Sequence, residues 1–339
     1  MRSPARKLLN LMHLLRVELV LTAVSDVWLV VFLAEAVEPK EYVSASLRSM
    51  PLAMALGTAG TVAAGLAAYG LSLNDVLDVR HDRTFSPGRP LPAGHLRLTT
   101  ALSTAVIALL LSLCAAYFLG EGSFLLTALV AGGILFYNTT ARFLPATGVI
   151  CLALLRMLHM FIANPEMSFV WPVWLNFSYT LAAAAAVRVL VAKRPRMSTA
   201  SWWLLAAGWT FWSIALIGWT TWRPTPRPDL PGAMWAGPVA AMAVFAFIVI
   251  ALMRRTAANA RLRRPATLLF SKLALLWLIV LNASWLLAAG MYCQSLAQLA
   301  LFFAAVAMAW LVTAHERRST PAPIYRLQLG GEIRGGESE

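Results

Sequence analysis

Apolar residues run along this chain in blocks long enough to cross the ~30 Å hydrocarbon layer of a bilayer, which takes about 20 residues of helix. Ten blocks qualify: 16–36, 50–73, 98–118, 123–137, 144–163, 169–192, 202–222, 232–253, 267–289 and 294–314. The fourth is short and the tenth is the weakest. The pattern therefore predicts an all-α fold, a multi-pass transmembrane bundle of 9–10 spans. It also sets boundaries: a cytoplasmic N-terminal segment over 1–15, one membrane domain over 16–314, and a polar tail over 315–339, rich in Gly, Arg and Glu and expected to be disordered.

Composition agrees, with 60% hydrophobic and 13% charged residues. The charges that remain are placed unevenly. If the N-terminus is cytoplasmic, Lys40, Arg48, Arg223 and Arg227 face the other side and Arg156 lies inside a span. All the rest of the 28 basic residues are then cytoplasmic. Such a bias is the positive-inside pattern of an integral protein of the cytoplasmic or inner membrane. The net charge of +13 thus reflects orientation and contact with membrane lipids. Nucleic-acid binding is not expected, because no basic soluble domain fits between the spans. The first block carries Glu18 and Asp26 and has no small-residue cleavage site, so it reads as an uncleaved span. Cys114, Cys151 and Cys293 show no paired spacing; they read as core residues, without a disulfide or zinc site.

Against this apolar background the run LeuAsnAspValLeuAspValArgHisAsp stands out at the end of the second block. At ~100° per residue, Asn74, Asp78, Asp82 and Asp75 lie at about 0°, 40°, 80° and 100° around a helix, so they share one face. Arg80 and Arg83 fall at about 240° and 180°, on the other side, which leaves the acidic face free to bind a cation. Carboxylates beside a bilayer are costly and mark a functional site by default. Hard oxygen donors at this spacing suit Mg2+, which takes one or two carboxylates and completes its shell with water and substrate phosphate. Termination of a helix at the interface would explain one such residue, not four. The loop that follows, ArgThrPheSerProGlyArgProLeuProAlaGlyHisLeu, is broken by Pro87, Pro90 and Pro92. It should fold back and hold Arg89 near the aspartates.

These residues resemble the first signature of the UbiA superfamily of intramembrane prenyltransferases: NDxxDxxxD at Asn74, Asp75, Asp78 and Asp82, then RPLPxG from Arg89 to Gly94. TyrAsnThrThrAlaArg, ending at Arg142, is similar to a tyrosine and Lys-Arg segment of the family, with Ala141 in place of the lysine. The resemblance implies transfer of an isoprenyl chain from its diphosphate to a hydrophobic, often aromatic, acceptor, with Mg2+ assistance. Asp75, Asp78 and Asp82 with Asn74 would then hold Mg2+–diphosphate at the cytoplasmic face. Arg89, Arg142, Arg188 and Lys193 would contact phosphate. Thirteen Trp and fifteen Phe offer material for lining a prenyl cavity, although most should pack or face lipid.

One part of the family pattern is missing. A second aspartate-rich motif is expected after the sixth span, yet no Asp or Glu occurs between Glu166 and Asp229, and Arg188, Lys193, Arg194 and Arg196 stand there instead. Either one Mg2+ and a basic clamp do the work of two metals, or the chain is a non-catalytic binder or transporter of a polyprenyl-linked lipid or precursor, or these residues are only part of the positive-inside pattern and signal topology. In the fifth block Arg156 and His159 share a helical face, and this segment resembles the divergent EboC-type branch. Arg156 could contact diphosphate, or pair with Asp26 within the membrane. Glu18 could snorkel to the interface or pair with Arg16, and His81 reads equally as a spectator or as an acid or base.

Overall fold

The computed structural model describes residues 4–191, 193, 195–221, 232–258 and 263–319. Its helices are α1 (Pro4–Leu15), α2 (Val17–Ala36), the short α3 (Ala45–Ser49), α4 (Leu52–Phe85), α5 (Leu98–Leu119), α6 (Glu121–Thr139), α7 (Pro145–Phe161), α8 (Trp171–Leu190), α9 (Thr199–Thr221), α10 (Ala236–Ala258), α11 (Arg263–Ala288) and α12 (Tyr292–Ser319). Nine of them, all but α1, α3 and α7, are long and apolar enough to cross a membrane among the described residues. The fifth predicted block becomes α7, which has 17 residues and is the shortest of the ten bundle helices. The tenth block forms α12, and this helix runs on through 315–319, so the tail begins later than the composition suggests. Residues 320–339 lie outside the described part. Cys114 and Cys293 are exposed rather than in the core, and all three cysteines are free.

α4 has 34 residues, about 51 Å at ~1.5 Å per residue and so longer than the hydrocarbon layer. The acidic run therefore lies within the last turns of a continuous helix, not at its terminus. Small residues let α4 seat closely on α5: Ala55, Ala59 and Ala63 of α4 and Ala105, Ala108 and Ala116 of α5 are all buried in one cluster. Gly65 is the tightest point, since a Cβ there would come within 2.6 Å of the Ala108 carbonyl oxygen. Ser112 closes the contact by donating to the Val62 carbonyl at 2.9 Å. In lipid, where apolar contact alone gives no preference for a neighbouring helix, such close backbone packing holds the pair together.

Polar residues tie the other helices together inside the bundle. Arg156 on α7 pairs with Asp26 on α2 at 2.7 Å. Asn282 on α11 donates to Asp26 Oδ1 and to Ser25 Oγ, both at 2.9 Å. Asn176 on α8 donates to Asn282 Oδ1 at 2.9 Å, and Ser25 donates to Gln298 on α12 at 2.6 Å. Five helices thus share one network, and Arg156 is held there rather than beside the acidic run. At the end of the bundle away from that run, the buried Glu38 accepts from the Ser168 and Phe169 amides at 3.1 and 2.6 Å. Asn164 bridges the amide of Ser44 and the carbonyl of Tyr42.

Two outcomes are expected. Gly65→Val should lower stability by about 1–3 kcal/mol through overpacking against backbone that cannot yield, read as a fall in the thermal midpoint of the detergent-solubilised chain. Arg156→Leu should cost about 3–5 kcal/mol by leaving Asp26 buried and unpaired, and Asp26→Leu added to it should recover much of that loss.

Candidate diphosphate site

The acidic run is held in place from both sides. Behind it, Leu14 of α1, Leu91 of the following loop and Ala101 of α5 are buried together against Val76 and Val79. Burial of each leucine contributes roughly 1.5–3 kcal/mol. The loop folds back on itself: Gly94 takes φ 66°, and the amides of His95 and Leu96 both donate to the Pro90 carbonyl, at 2.8 and 3.1 Å. This ArgProLeuPro turn brings Arg89 over the helix face, as its sequence predicts. Arg80 and Arg83 are exposed, also as predicted.

The face is nevertheless not free. Arg89 donates to Asp82 Oδ2 at 2.5 Å and lies 3.6 Å from Asp75. Arg16 donates to Asp75 Oδ1 at 2.9 Å. Arg142 donates to both oxygens of Asp78, at 2.9 and 2.5 Å, and to Asn74 Oδ1 at 2.6 Å. Helix angles speak only for the cations on α4 itself and the returning loop only for Arg89, whereas Arg16 and Arg142 arrive from distant elements. The partition follows the angular order of the face, with Asn74 and Asp78 taking one arginine and Asp82 and Asp75 the others.

Arg16 is the residue whose partner pattern reading does not reach. It is the one non-glycine residue with positive φ (43°) among those described, and it breaks α1 from α2. A non-glycine residue in this region carries strain that marks functional positions, and here the break directs the guanidinium to Asp75 rather than to Glu18. The sequence signal available was its position at the junction of a basic segment and an apolar block. His81 is largely exposed, stacks on Phe85 with ring centroids 4.5 Å apart, and lies 3.9 Å from Asp82. It is peripheral to the arginine-paired face.

Arg142 sits in the tight turn Ala141–Phe143 after α6. Gly148 makes its position possible, because a Cβ there would come within 2.7 Å of the Ala141 carbonyl oxygen and 3.1 Å of the Arg142 Cα. From Arg142 a cavity of about 220 Å³ opens between α7, α8 and α11. Tyr137, Arg142, Arg188 and Lys193 line one end; the rest is largely aliphatic, including Val149, Leu152, Ala183, Ala184, Leu275 and Leu278. Its aromatic lining consists of two tyrosines, Tyr137 and Tyr179, with no Trp or Phe. Arg188 is buried and donates to the Pro195 carbonyl at 3.0 Å. Burial, and then repulsion from Arg188 and Arg142, holds the Lys193 ammonium below the ordinary lysine range against the opposing pull of Asp78. Three cations therefore converge at one end of an apolar cavity, next to Asp78.

The residues fit Mg2+ by donor type, since Asn74, Asp75, Asp78 and Asp82 are hard oxygen ligands. Arg142 already places positive charge between Asn74 and Asp78. No group of three or more His, Cys, Asp or Glu side chains converges as a preformed metal site among the described residues. A metal held here would therefore rest on one or two carboxylates and the phosphate. Gly148→Ala should push the Arg142 turn away from α7 and weaken binding of inorganic diphosphate, measured by calorimetry on the folded variant.

Comparison with known proteins agrees with this architecture. Residues 27–191 match the UbiA prenyltransferase family. A digeranylgeranylglyceryl phosphate synthase from Sulfurisphaera tokodaii is 27% identical over 96 residues, 28% of this chain and 34% of that protein. The chain thus spans about a third of the length of this curated relative. A solved structure concerning digeranylgeranylglyceryl phosphate synthase in membranes superposes with a TM-score of 0.51 at 15% identity, over 84% of this chain and 98% of that one. That is a likeness of fold. A UbiA homolog from Archaeoglobus fulgidus bound to GPP and Mg2+ gives a TM-score of 0.42 at 18% identity, over 88% of this chain and 99% of that one. Residues 27–191, just under half of the chain, thus match the UbiA prenyltransferase family, and they include the NDxxDxxxD face and all or part of five of the membrane-length helices.

Proposed function

We propose that this protein is an intramembrane prenyltransferase that binds an isoprenyl diphosphate, with the head at Arg142, Arg188 and Lys193 and the tail in the cavity between α7, α8 and α11. The observation that carries this reading is the joining of a cationic end, an acidic face and an apolar cavity in one site. An anionic head with a hydrocarbon tail matches that polarity along its whole length.

The reaction breaks the bond between the first prenyl carbon and the diphosphate oxygen, and the electron pair leaves with the diphosphate. Arg142, Arg188 and Lys193 bind and orient the leaving group and stabilise the charge it gains. Arg89, held at Asp82, is close enough to the same face to join them. The aliphatic walls keep water from the developing allylic cation; the acceptor forms its bond to the first prenyl carbon and gives up a proton to the released diphosphate. Mg2+, held by Asp78 with Asn74 and by Asp75 or Asp82, would supply further charge neutralisation on the diphosphate. Arg156 is not needed for this reading, because its guanidinium is already committed to Asp26. The acceptor is a hydrophobic molecule reaching the site from the bilayer. The basic asymmetry of the chain supports a site on the cytoplasmic side, with the N-terminus on that side too.

The absence of any acid between Glu166 and Asp229 favours one further reading, a binder or carrier of a polyprenyl-linked lipid that does not ionise the donor. One experiment separates the two: release of diphosphate from prenyl donors by the purified chain, with and without Mg2+. Asp78→Ala should reduce release about 100-fold or more, the scale of losing a group that stabilises transition-state charge. Tight donor binding without Asp78-dependent release across donor and acceptor panels would establish the carrier instead. Arg188→Glu and Lys193→Glu should each weaken donor affinity about tenfold or more. Unchanged affinity would reduce these residues to topology signals.

A further inference from the structure

The end of the bundle away from the acidic run holds another cavity, of about 240 Å³. It lies where α2 ends at Ala36 and α4 begins at Leu52. Both helices are long and apolar enough to cross a membrane, so the cavity sits at the level of the lipid headgroups. Its walls come from one stretch of chain, 31–55, which turns back on itself there. Val31, Val43, Leu47 and Ala55 give it a buried apolar base. Glu35, Lys40 and Arg48 also line it and are exposed.

The frame of this cavity is fixed from behind. The buried Glu38 accepts from the Ser168 and Phe169 amides, and Asn164 holds Ser44 and Tyr42. The connection between α2 and α4 therefore has a set shape of its own. Across it, an Arg48 Nη1 hydrogen is donated to the Lys40 carbonyl at 3.2 Å, which joins the turn Lys40–Tyr42 to α3 and brings the two cation-bearing segments together. That bond occupies one donor of the guanidinium and leaves the others for a ligand.

Topology gives these cations no reason to be here, since they lie on the side that the positive-inside bias keeps nearly free of basic residues. Neither do they neutralise the acid beside them: among the described residues Lys40, Arg48 and Glu35 form no ion pair. Opposite charges thus line one cavity without meeting. A ligand that satisfies all of them carries an anionic group for Lys40 and Arg48, a cationic donor for Glu35 and hydrocarbon for the apolar base. A phospholipid whose phosphodiester bears a primary amine has these groups in that order. Its phosphate suits the arginine and lysine, and its ammonium makes charge-assisted hydrogen bonds to a carboxylate.

We propose that this cavity binds one phospholipid with an aminoethyl phosphate headgroup, its phosphate at Lys40 and Arg48, its ammonium at Glu35 and its hydrocarbon against Val31 and Leu47. The site is separate from the diphosphate site, at the other end of α4, and takes no part in prenyl transfer. A lipid that binds only the folded chain stabilises it, and this one clamps the α2–α4 connection.

The test counts bound lipid. The full chain in detergent micelles is titrated with dioleoyl phosphatidylethanolamine or dioleoyl phosphatidylglycerol, and adducts are read by native mass spectrometry. The first adduct should form with the ethanolamine lipid at about tenfold lower concentration, the scale of one hydrogen bond to a charged group. Lys40→Ala with Arg48→Ala should weaken its binding about tenfold or more. Glu35→Gln should bring the two lipids to equal affinity. All three side chains are exposed, and unchanged thermal midpoints in lipid-free detergent check that the variants fold. Equal affinity of the unaltered chain for the two lipids overturns the proposal, as does a first adduct that the paired substitution leaves unchanged. Free phosphoethanolamine should compete only weakly; displacement of the lipid at equal concentration would assign the cavity to a soluble phosphate and overturn the lipid site.

Discussion

The pairing of carboxylates with guanidinium groups in a medium that cannot solvate either is the constraint on which the rest of this molecule depends. Unpaired, a charge at such a place costs several kcal/mol. Four of the aspartates, Asp26, Asp75, Asp78 and Asp82, answer this cost by taking arginines from distant points of the chain: Arg156, Arg16, Arg142 and Arg89. Each pair is therefore also a tertiary restraint. Arg16 ties the α1–α2 junction to α4, Arg142 ties the turn after α6 to α4, and Arg156 ties α7 to α2.

The two sets of pairs differ in what surrounds them. Asp26 has no exposure, and its partners are themselves bonded to neighbouring helices, so that cluster serves as a rigid element. Asp78 is a quarter exposed at its side chain and faces Arg142 beside a cavity that also contains Arg188 and Lys193. An anionic ligand entering there meets cations that have lost part of their hydration, which makes direct phosphate contact worth more than it would be in open water. One kind of interaction thus braces the bundle at one depth and prepares a binding site at another.

Much of the fold could be read directly, because membrane spans are local in sequence: about 20 apolar residues suffice to identify each one. The shared face of Asn74, Asp75, Asp78 and Asp82 was equally legible, since a helix fixes their angles whatever surrounds it. Arg89 also came out near the acids, its loop being closed by prolines and glycines only a few residues away. Reading failed where partners came from afar. The acidic face looked free for a cation because the helix angles place Arg80 and Arg83 on the other side, and nothing local announced that Arg16 and Arg142 would reach it. The aromatic residues expected to line a prenyl cavity are mostly elsewhere, because composition does not say which side of a helix faces inward.

The sequence by itself determined the number and approximate limits of the helices, the uneven distribution of positive charge and the acidic face with its returning loop. These follow from hydrophobicity, helical period and turn chemistry, all of which act over a few residues. The tertiary structure alone decided that Arg16 and Arg142 meet the acidic face, that Arg142, Arg188 and Lys193 line one cavity, and that Arg156, Asn176 and Asn282 join one network with Asp26. Those choices depend on how ten bundle helices pack, and packing is fixed by close contacts such as Gly65 against Ala108 and Gly148 against Ala141. Contacts of that kind join residues far apart in the chain, and no local period announces them.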